Sequence, residues 1–158
     1  MKVNKNPSNN SVHLRTASED DAELLFEWAN DKDVRNNSFS THQITHEEHM
    51  AWFGQLLANK DARQYILMTG NEAVGQIRVN IEDDSARISY SIASDYRRMG
   101  YGKLIISLLP DVIRTDFPDV KKLIAEVKPN NIGSRKAFID NQFTEKNVVY
   151  ELELVTDK

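Results

Sequence analysis

Three consecutive segments of the chain alternate between apolar and polar residues, and this pattern limits the fold more than any other feature. They span residues 64–69, 73–81 and 86–93, and the first two are joined by a short turn that contains Gly70-Asn71. Period-two alternation is typical of strands with one buried face, and connections this short join neighbouring antiparallel strands. The pattern therefore predicts an antiparallel meander of three strands in the middle of the chain.

Segments with helical periodicity and further short strands flank the meander. Ser18 with Asp21 and Thr45 with Glu48 have the spacing of capping boxes, and each pair precedes an apolar stripe. Two more helical stretches follow the meander. Additional strands are predicted at residues 11–15, 122–128 and 149–154. The predicted order, β-α-α-β-β-β-α-β-α-β, is that of an α/β (α+β) domain with a mixed, mostly antiparallel sheet.

The bulk properties exclude several classes of protein. The 158 residues are expected to form one domain over residues 11–158, after a flexible polar tail at residues 1–10. A net charge of −4 argues against a broad basic interface for nucleic acid. No apolar run reaches the roughly 18 residues of a membrane span, and the absence of cysteine excludes disulfides and thiolate sites. We therefore expect a cytoplasmic globular protein without a nucleic-acid or membrane partner.

The stretch YRRMGYGKLI, residues 96–105, follows the last strand of the meander and leads into a helix. Backbone N–H groups at a helix start are unpaired and carry the positive end of the helix dipole, and Gly100 and Gly102 allow an anion to approach them. Arg97, Arg98 and Lys103 add positive charge. The alternative is an ordinary tight turn with solvated basic residues. The third glycine of a dinucleotide fingerprint is missing, and the spacing of a Walker loop is absent.

A second motif lies farther along the chain and changes the interpretation of this loop. Arg97-x-x-Gly100-x-Gly102 resembles the pyrophosphate loop of the GCN5-related N-acetyltransferase (GNAT) family, and Asn131 and Ser134 resemble that family's N-x-x-S signature. Phe138 occupies the position where the family has an aromatic residue, often tyrosine. The resemblance covers residues 12–155. It implies a GNAT-like sheet of six to seven strands flanked by about four helices, with acetyl-CoA as co-substrate and no metal.

The resemblance also implies roles for individual residues. A V-shaped splay between the fourth and fifth strands would hold the pantetheine arm, and the N–H of Ile92 or Ala93 would face the thioester oxygen. Phe138 would lie near the sulfur, but phenylalanine cannot donate a proton to the leaving thiolate, so Tyr101, Tyr90 or water would substitute. The complete expected set of cofactor-binding residues is Ile92, Ala93, Arg97, Arg98, Met99, Gly100, Tyr101, Gly102, Lys103, Asn131, Ser134 and Phe138.

The acceptor is expected to bind to the region of the first two helices. Residues 26–53 are similar to the branch of the family that acetylates nucleotide-linked 4-amino-4,6-dideoxysugars. Arg35 would pair with a phosphate, Asn30 and Asp31 would bond hydroxyls, and Trp52 would stack on a ring. The competing interpretation of Trp52, which lies at helical spacing, is a core residue.

The remaining open point is the base that deprotonates the amine. Glu126, on the predicted fifth strand, and His49 are candidates beside Asp31, so the expected catalytic residues are Ile92, Glu126 and His49. A solvated strand glutamate and a solvated helix histidine are the simpler explanations. The histidines in HEEH lack the spacing of a zincin helix, so no metal is expected.

The resemblance therefore implies direct acetyl transfer to a primary amine of a small molecule, most specifically a nucleotide sugar. A protein N-terminal acetyltransferase of the ribosomal-protein type is the alternative acceptor class. A non-catalytic acyl-CoA-binding module is the alternative outside enzymes. A homodimer is left open.

Overall fold

The computed structural model describes residues 12–147, 149–152 and 154. The five strands of the described part are β1 (Val12–Thr16), β2 (Ala62–Thr69), β3 (Glu72–Glu82), β4 (Ser85–Ile92) and β5 (Lys122–Ala125). The α-helices are α1 (Ala22–Ala29), α2 (Lys32–Asn37), α3 (His46–Ala58), α4 (Tyr101–Asp116) and α5 (Ile132–Asp140). The strands form one sheet in the order β1-β2-β3-β4-β5. The predicted tail at residues 1–10 lies outside the described residues.

The predicted meander is confirmed as β2, β3 and β4, which pair antiparallel in sequence. Gly70 and Asn71 connect β2 to β3, and Gly70 has a φ of 59°, the left-handed conformation that a tight hairpin turn requires. β5 pairs parallel to β4 after the crossover through α4. The sheet is therefore mixed and mostly antiparallel, as the alternation of residues indicates.

Helix α3 begins where the sequence predicts it. The Glu48 amide donates to Thr45 Oγ1 at 3.2 Å, and the Thr45 amide donates to Glu48 Oε2 at 3.1 Å, so both halves of the capping box form. Helix α2 is an addition to the four predicted helices. Its Asp31 cap accepts from the amides of Asp33 and Val34 at 3.0 and 3.2 Å. Six residues without an apolar stripe give no periodic signal for such a helix.

The two faces of the sheet carry different cores. On one face, α4 and α5 cover apolar residues of β2, β3 and β4, including Leu67, Ile77 and Ile88. On the other face, α1 and α3 cover Ile66 and Ala62 of β2 through Leu25, Phe53 and Leu56. The second cluster includes no buried residue of β4 or β5, so the helices leave that part of the face open for a site.

The splay between the fourth and fifth strands is present. β4 and β5 pair from Ser85↔Lys122 to Ile88↔Ala125, and β4 then continues to Ile92 without β5 beside it. The backbone edge of β4 beyond Ile88 is therefore available to another extended chain.

Two strand predictions at the carboxyl-terminal end are wrong. The fifth strand stops at Ala125, so Glu126 follows β5 and does not belong to it. Of the predicted strand at 149–154, residues 149–152 and 154 lie outside any strand, and residue 153 is not described. Val149, Tyr150, Leu152 and Leu154 are 81–91% exposed. Alternation favours a strand only where a neighbouring strand accepts the hydrogen bonds, and this segment packs against none in the described part of the chain.

Gly75 permits the close approach of β3 to β4 at the mouth of the splay. A Cβ built at Gly75 would lie 2.8 Å from both the backbone oxygen of Ser91 and Cδ1 of Ile92. We expect Gly75→Ala to lower the free energy of unfolding by about 1–3 kcal/mol, because a backbone atom must move. Gly54→Ala in α3 is the control, since nothing lies within 4 Å of its Cβ. Denaturant unfolding that shows equal stability for both variants would contradict this expectation.

Candidate active site

One cavity of 1270 Å³ extends across the splay from the start of α4 to the helices α1–α3. Most of the predicted cofactor residues line it, and the exceptions are Ala93 and Met99, whose side chain packs against the core. On the acceptor side, Arg35 and Trp52 line the cavity, whereas Asn30 and Asp31 are not among its lining residues. The cofactor and acceptor regions inferred from separate sequence motifs are therefore parts of one space.

The backbone of β4 presents donors to the splay at every second residue. The Ala93 amide donates to the Val74 carbonyl oxygen at 2.9 Å, so it faces β3. Because successive residues of an antiparallel ladder point to opposite edges, the amides of Ile92 and Tyr90 face the splay. The prediction that the Ala93 amide donates to the thioester is therefore wrong, since this N–H already has an acceptor in β3. The Ile92 amide has the required direction, and the Tyr90 amide lies next to it, farther from α4.

The loop before α4 has the geometry of an anion-binding site. Arg98 and Gly100 have φ values of 61° and 87°, and Gly100 caps α4 without a side-chain cap. The first helical bond of α4 runs from Leu104 N–H to Gly100 O. The amides of Gly102 and Lys103 consequently have no acceptor within the helix. Alternating backbone conformations of this kind turn several N–H groups toward one point, which an anion can occupy.

Arg97 lies in this loop but its side chain turns away from the amides. Its Nη2 donates to Asp31 Oδ1 at 2.7 Å, and its Nη1 donates to Asp33 Oδ2 at 3.0 Å. Its Nε donates to the Ile92 carbonyl oxygen at 3.0 Å. Burial opposes ionisation of Asp31, but the bonds from Arg97 and from the α2 amides outweigh it and hold the pKa of that carboxyl below its ordinary value. Arg97 thus connects the end of β4 to α2.

The N-x-x-S motif folds as the cap of α5. Asn131 Oδ1 accepts from the Ser134 amide at 3.3 Å, and Ser134 Oγ lies 2.9 Å from the Tyr90 hydroxyl oxygen. The Phe138 ring is buried and packs edge-on against Tyr90, with 5.7 Å between ring centroids. Burial raises the pKa of the Tyr90 phenol, so it stays protonated at neutral pH. Tyr90 and Tyr101, the two tyrosines considered for the missing acid, both line the cavity. The Tyr90 hydroxyl is paired there with Ser134, whereas Tyr101 is only 1% exposed.

The predicted acceptor residues of the α1–α2 region are used mainly within the protein. Asn30 Nδ2 donates to the Ile44 carbonyl at 2.7 Å, and Asn30 Oδ1 accepts from the Ile44 amide at 2.8 Å. Arg35 donates from Nη1 to the Ser40 carbonyl at 3.2 Å and from Nη2 to Ser38 Oγ at 3.2 Å, while its buried Nε has no partner among the described residues. Asn30 and Asp31 therefore hold the loop and α2 in place, and the prediction that they bond acceptor hydroxyls is not supported by their geometry.

His49 is not a solvated helix histidine. It is 2% exposed and stacks on Phe53 with ring centroids 5.9 Å apart. Its Nε2 lies 3.0 Å from the Ala22 carbonyl oxygen, which can only accept, so Nε2 carries the hydrogen. Burial lowers the pKa of the His49 imidazole, which is therefore neutral at pH 7. Only Nδ1 remains to accept a proton.

Glu126 faces the cavity in an exposed ion pair. Its Oε1 accepts from Arg87 Nη1 at 2.6 Å, and Arg87 Nε also donates to Glu82 at 2.8 Å. Arg87 therefore neutralises two carboxylates beside the splay.

The floor of the acceptor half is polar, and the sequence interpretation did not identify it. Gln64 Nε2 donates to Gln76 Oε1 at 2.8 Å, and Gln76 Nε2 donates to Ser91 Oγ at 3.1 Å. The amide oxygen of Gln64, Oε1, is buried and has no hydrogen-bond partner in the described part of the chain. Arg78 lies on the same face of β3 with its guanidinium 5.0 Å from the ring centroid of Trp52. In the sequence, this floor could have been predicted from the polar residues at alternate positions of β3.

The described residues contain neither a metal site nor a membrane-spanning helix. Among residues 12–147, 149–152 and 154, no group of three or more potential ligands could hold a metal ion. Within the same part of the chain, no helix is both long and apolar enough to cross a membrane.

The fold is shared with several solved acetyltransferases. A spermidine N-acetyltransferase from Vibrio cholerae, in complex with CoA and spermine, superposes with a TM-score of 0.82 at 16% identity over 94% of this chain and 89% of that chain. The aminoglycoside acetyltransferase AAC(6')-Ib with coenzyme A gives 0.76 at 19% identity over 88% and 87%. RimL, a ribosomal alpha-N-protein acetyltransferase with coenzyme A, gives 0.76 at 19% identity over 89% and 84%.

The sequence comparisons agree with the fold. No curated protein sequence matches the chain. Residues 11–144 match the acetyltransferase (GNAT) domain family, which covers the sheet, the amide loop and the N-x-x-S motif. The chain therefore belongs to the GNAT acetyltransferase family and is an N-acetyltransferase that uses acetyl-CoA.

Proposed function

We propose that the protein transfers an acetyl group from acetyl-CoA directly to the primary amine of a nucleotide-linked aminosugar. The observation that carries this proposal is the cavity that joins the amide loop, the splay and a polar floor of amide and hydroxyl groups beside Arg78. Amide and hydroxyl groups such as those of Gln64, Gln76 and Ser91 are suited to the hydroxyl groups of a sugar.

The cofactor half supplies the binding and polarisation of the thioester. The amides of residues 98–103 receive the pyrophosphate, and the pantetheine arm pairs with the free edge of β4. The amides of Ile92 and Tyr90 donate along this edge and stabilise the oxyanion that forms when the amine attacks the carbonyl carbon. Asn131 retains its Nδ2 for the arm because its Oδ1 caps α5. Phe138 supports Tyr90 from the core side.

The transfer requires one proton to leave the amine and one to reach the departing sulfur. The amine nitrogen bonds to the acetyl carbon, the carbon–sulfur bond breaks, and CoA leaves as a thiolate that takes up a proton. His49 is favoured as the base over Glu126, because Glu126 is already paired with Arg87. Neutral His49 offers Nδ1, and a sugar amine needs only a modest base.

The charges of the acceptor half favour a sugar over a polycation. Every carboxylate that lines this half has a partner within the described residues: Asp33 with Arg97, Glu82 and Glu126 with Arg87, and Glu48 with the Thr45 amide. A polyamine or an aminoglycoside carries several ammonium groups, which bind best beside free carboxylates. The solved relatives that act on such amines therefore share the fold without predicting this acceptor.

A competition among acceptors tests the proposal. We expect a nucleotide 4-aminosugar to give a kcat/KM at least about tenfold above that of spermidine, an aminoglycoside or a peptide with a free N-terminus, because of these paired carboxylates. Release of the CoA thiol measures all four reactions in the same assay. A higher value for spermidine or the peptide would contradict the proposed acceptor. Binding of acetyl-CoA without thiol release for any amine would instead favour the non-catalytic module.

A further inference from the structure

Arginine residues in this protein differ sharply in their partners. Six of the nine pair with a carboxylate: Arg15, Arg63, Arg87, Arg97, Arg114 and Arg135. For Arg35, Arg78 and Arg98, no carboxylate within 4 Å is found among the described residues. All three line the same cavity. Among the arginines of the described residues, those without a carboxylate partner thus all line the proposed substrate cavity.

These three arginines have different surroundings. Arg98 belongs to the amide loop that faces the pyrophosphate. Arg35 is held by the Ser40 carbonyl and by the Ser38 hydroxyl. Arg78 instead has its guanidinium carbon 5.0 Å from the Trp52 ring centroid, and its guanidinium makes no hydrogen bond to another described residue. Arg78 is therefore the cation of the acceptor half whose donors are least used by the protein.

The position of Arg78 is set by two rigid elements. Its Cα is paired with Ser89 of β4 and with Gln64 of β2, so it lies in the middle of the sheet. Trp52 reaches over it from α3, with 37% of its own surface exposed. Removal of water around the guanidinium lowers the pKa of Arg78, although an arginine stays charged at neutral pH. A charge in this environment is costly without a counter-ion, and its planar donors match an anionic oxygen group.

We propose that Arg78, whose guanidinium lies over the Trp52 ring, is the binding site for an anionic group of the acceptor, of the phosphate class. This inference rests on the proposed function and adds a specificity residue that the sequence motifs do not contain. The anion lies on the polar floor beside Gln76 and Ser91, with the amine directed toward the splay. Acceptors that lack an anionic group lose this contact and leave the guanidinium without a counter-ion.

Matched acceptors test this assignment by kinetics. A nucleotide 4-aminosugar and the methyl glycoside of the same aminosugar differ in the anionic group. For the unaltered protein we expect kcat/KM to favour the nucleotide form, and Arg78→Met to reduce this preference by about tenfold to a hundredfold. Arg78→Lys keeps the charge without the planar donors and should retain part of the kcat/KM preference for the nucleotide form. The KM for acetyl-CoA should stay within about twofold in both variants, and thermal unfolding checks that they fold.

A binding measurement separates this inference from the acceptor proposal. Uridine diphosphate is titrated calorimetrically into the protein saturated with CoA, so that the amide loop is occupied. Binding that Arg78→Met weakens by about tenfold or more supports the anion site, even if no nucleotide aminosugar is acetylated. Absence of binding, or equal binding by the variant, overturns it. An unchanged preference of Arg78→Met between the two matched acceptors also overturns it, and in that case acetylation of the nucleotide sugar would leave the proposed function intact.

Discussion

Replacement of Gly102 by glutamate is expected to abolish measurable acetyl-CoA binding while the fold stays as stable as before. Gly102 lies in the first turn of α4, and the atoms nearest to a Cβ added there belong to the Tyr90 side chain, at 3.6 Å, which is an ordinary van der Waals distance. The new carboxylate would project into the cavity where the pyrophosphate is proposed to bind. Two like charges about 4 Å apart repel by roughly 4 kcal/mol at the effective dielectric constant near a protein surface, which is close to a thousandfold in Kd.

Stability separates this effect from simple damage. Glycine is a poor helix residue, by about 1 kcal/mol relative to alanine, and a carboxylate in the first turn of a helix interacts favourably with its dipole. The free energy of unfolding of Gly102→Glu should therefore be equal to or slightly above that of the unaltered protein. Gly102→Gln has the same size without the charge and should bind acetyl-CoA at least about a hundredfold more tightly than the glutamate variant. Calorimetric binding of Gly102→Glu at the original affinity would disprove the pyrophosphate assignment.

The cofactor half could be predicted from the sequence because its signals are local. The glycines of the amide loop and the Asn131-x-x-Ser134 cap each lie within a few residues, and the donors are backbone groups that any helix start supplies. The Thr45–Glu48 box was equally accessible. Ala93 was wrong for a reason that is not local, since its N–H direction depends on pairing with Val74 in another strand.

The acceptor half could not be predicted in the same way, because its contacts join distant segments. Asn30 bonds Ile44 across a loop, and Arg78 meets Trp52 only after the sheet and α3 have packed together. The alternating pattern of β3 shows that Arg78 leaves the core but not what covers it. The last predicted strand fails similarly, since an alternating segment cannot reveal whether a partner strand exists. The resemblance of residues 26–53 to one branch of the family thus gave residue types without their contacts.

Arg97 and Arg98 are adjacent, but their side chains have different surroundings. Arg97 bonds the Ile92 carbonyl, Asp31 and Asp33, so it positions α2 against the end of β4, over a separation of 66 residues between Arg97 and Asp31. Arg98 has a left-handed backbone in the amide loop and no carboxylate partner among the described residues. The sequence interpretation treated both as supporting charges for the pyrophosphate.

Arg97→Ala is expected to reduce kcat/KM for the acceptor by about tenfold to a hundredfold while the Kd for acetyl-CoA changes by less than about threefold. The variant leaves Asp31 and the Ile92 carbonyl without their donor, which costs roughly 1–3 kcal/mol and allows α2 to shift away from the splay. Arg98→Ala is the matched control and should do the reverse, raising the Kd for acetyl-CoA by about tenfold with little effect on acceptor KM. Asp33→Asn removes only the more exposed of the two ion pairs and should resemble the unaltered protein within about twofold. If Arg97→Ala weakens acetyl-CoA binding as much as Arg98→Ala and spares the acceptor, Arg97 is a phosphate ligand and the connection to α2 is only structural.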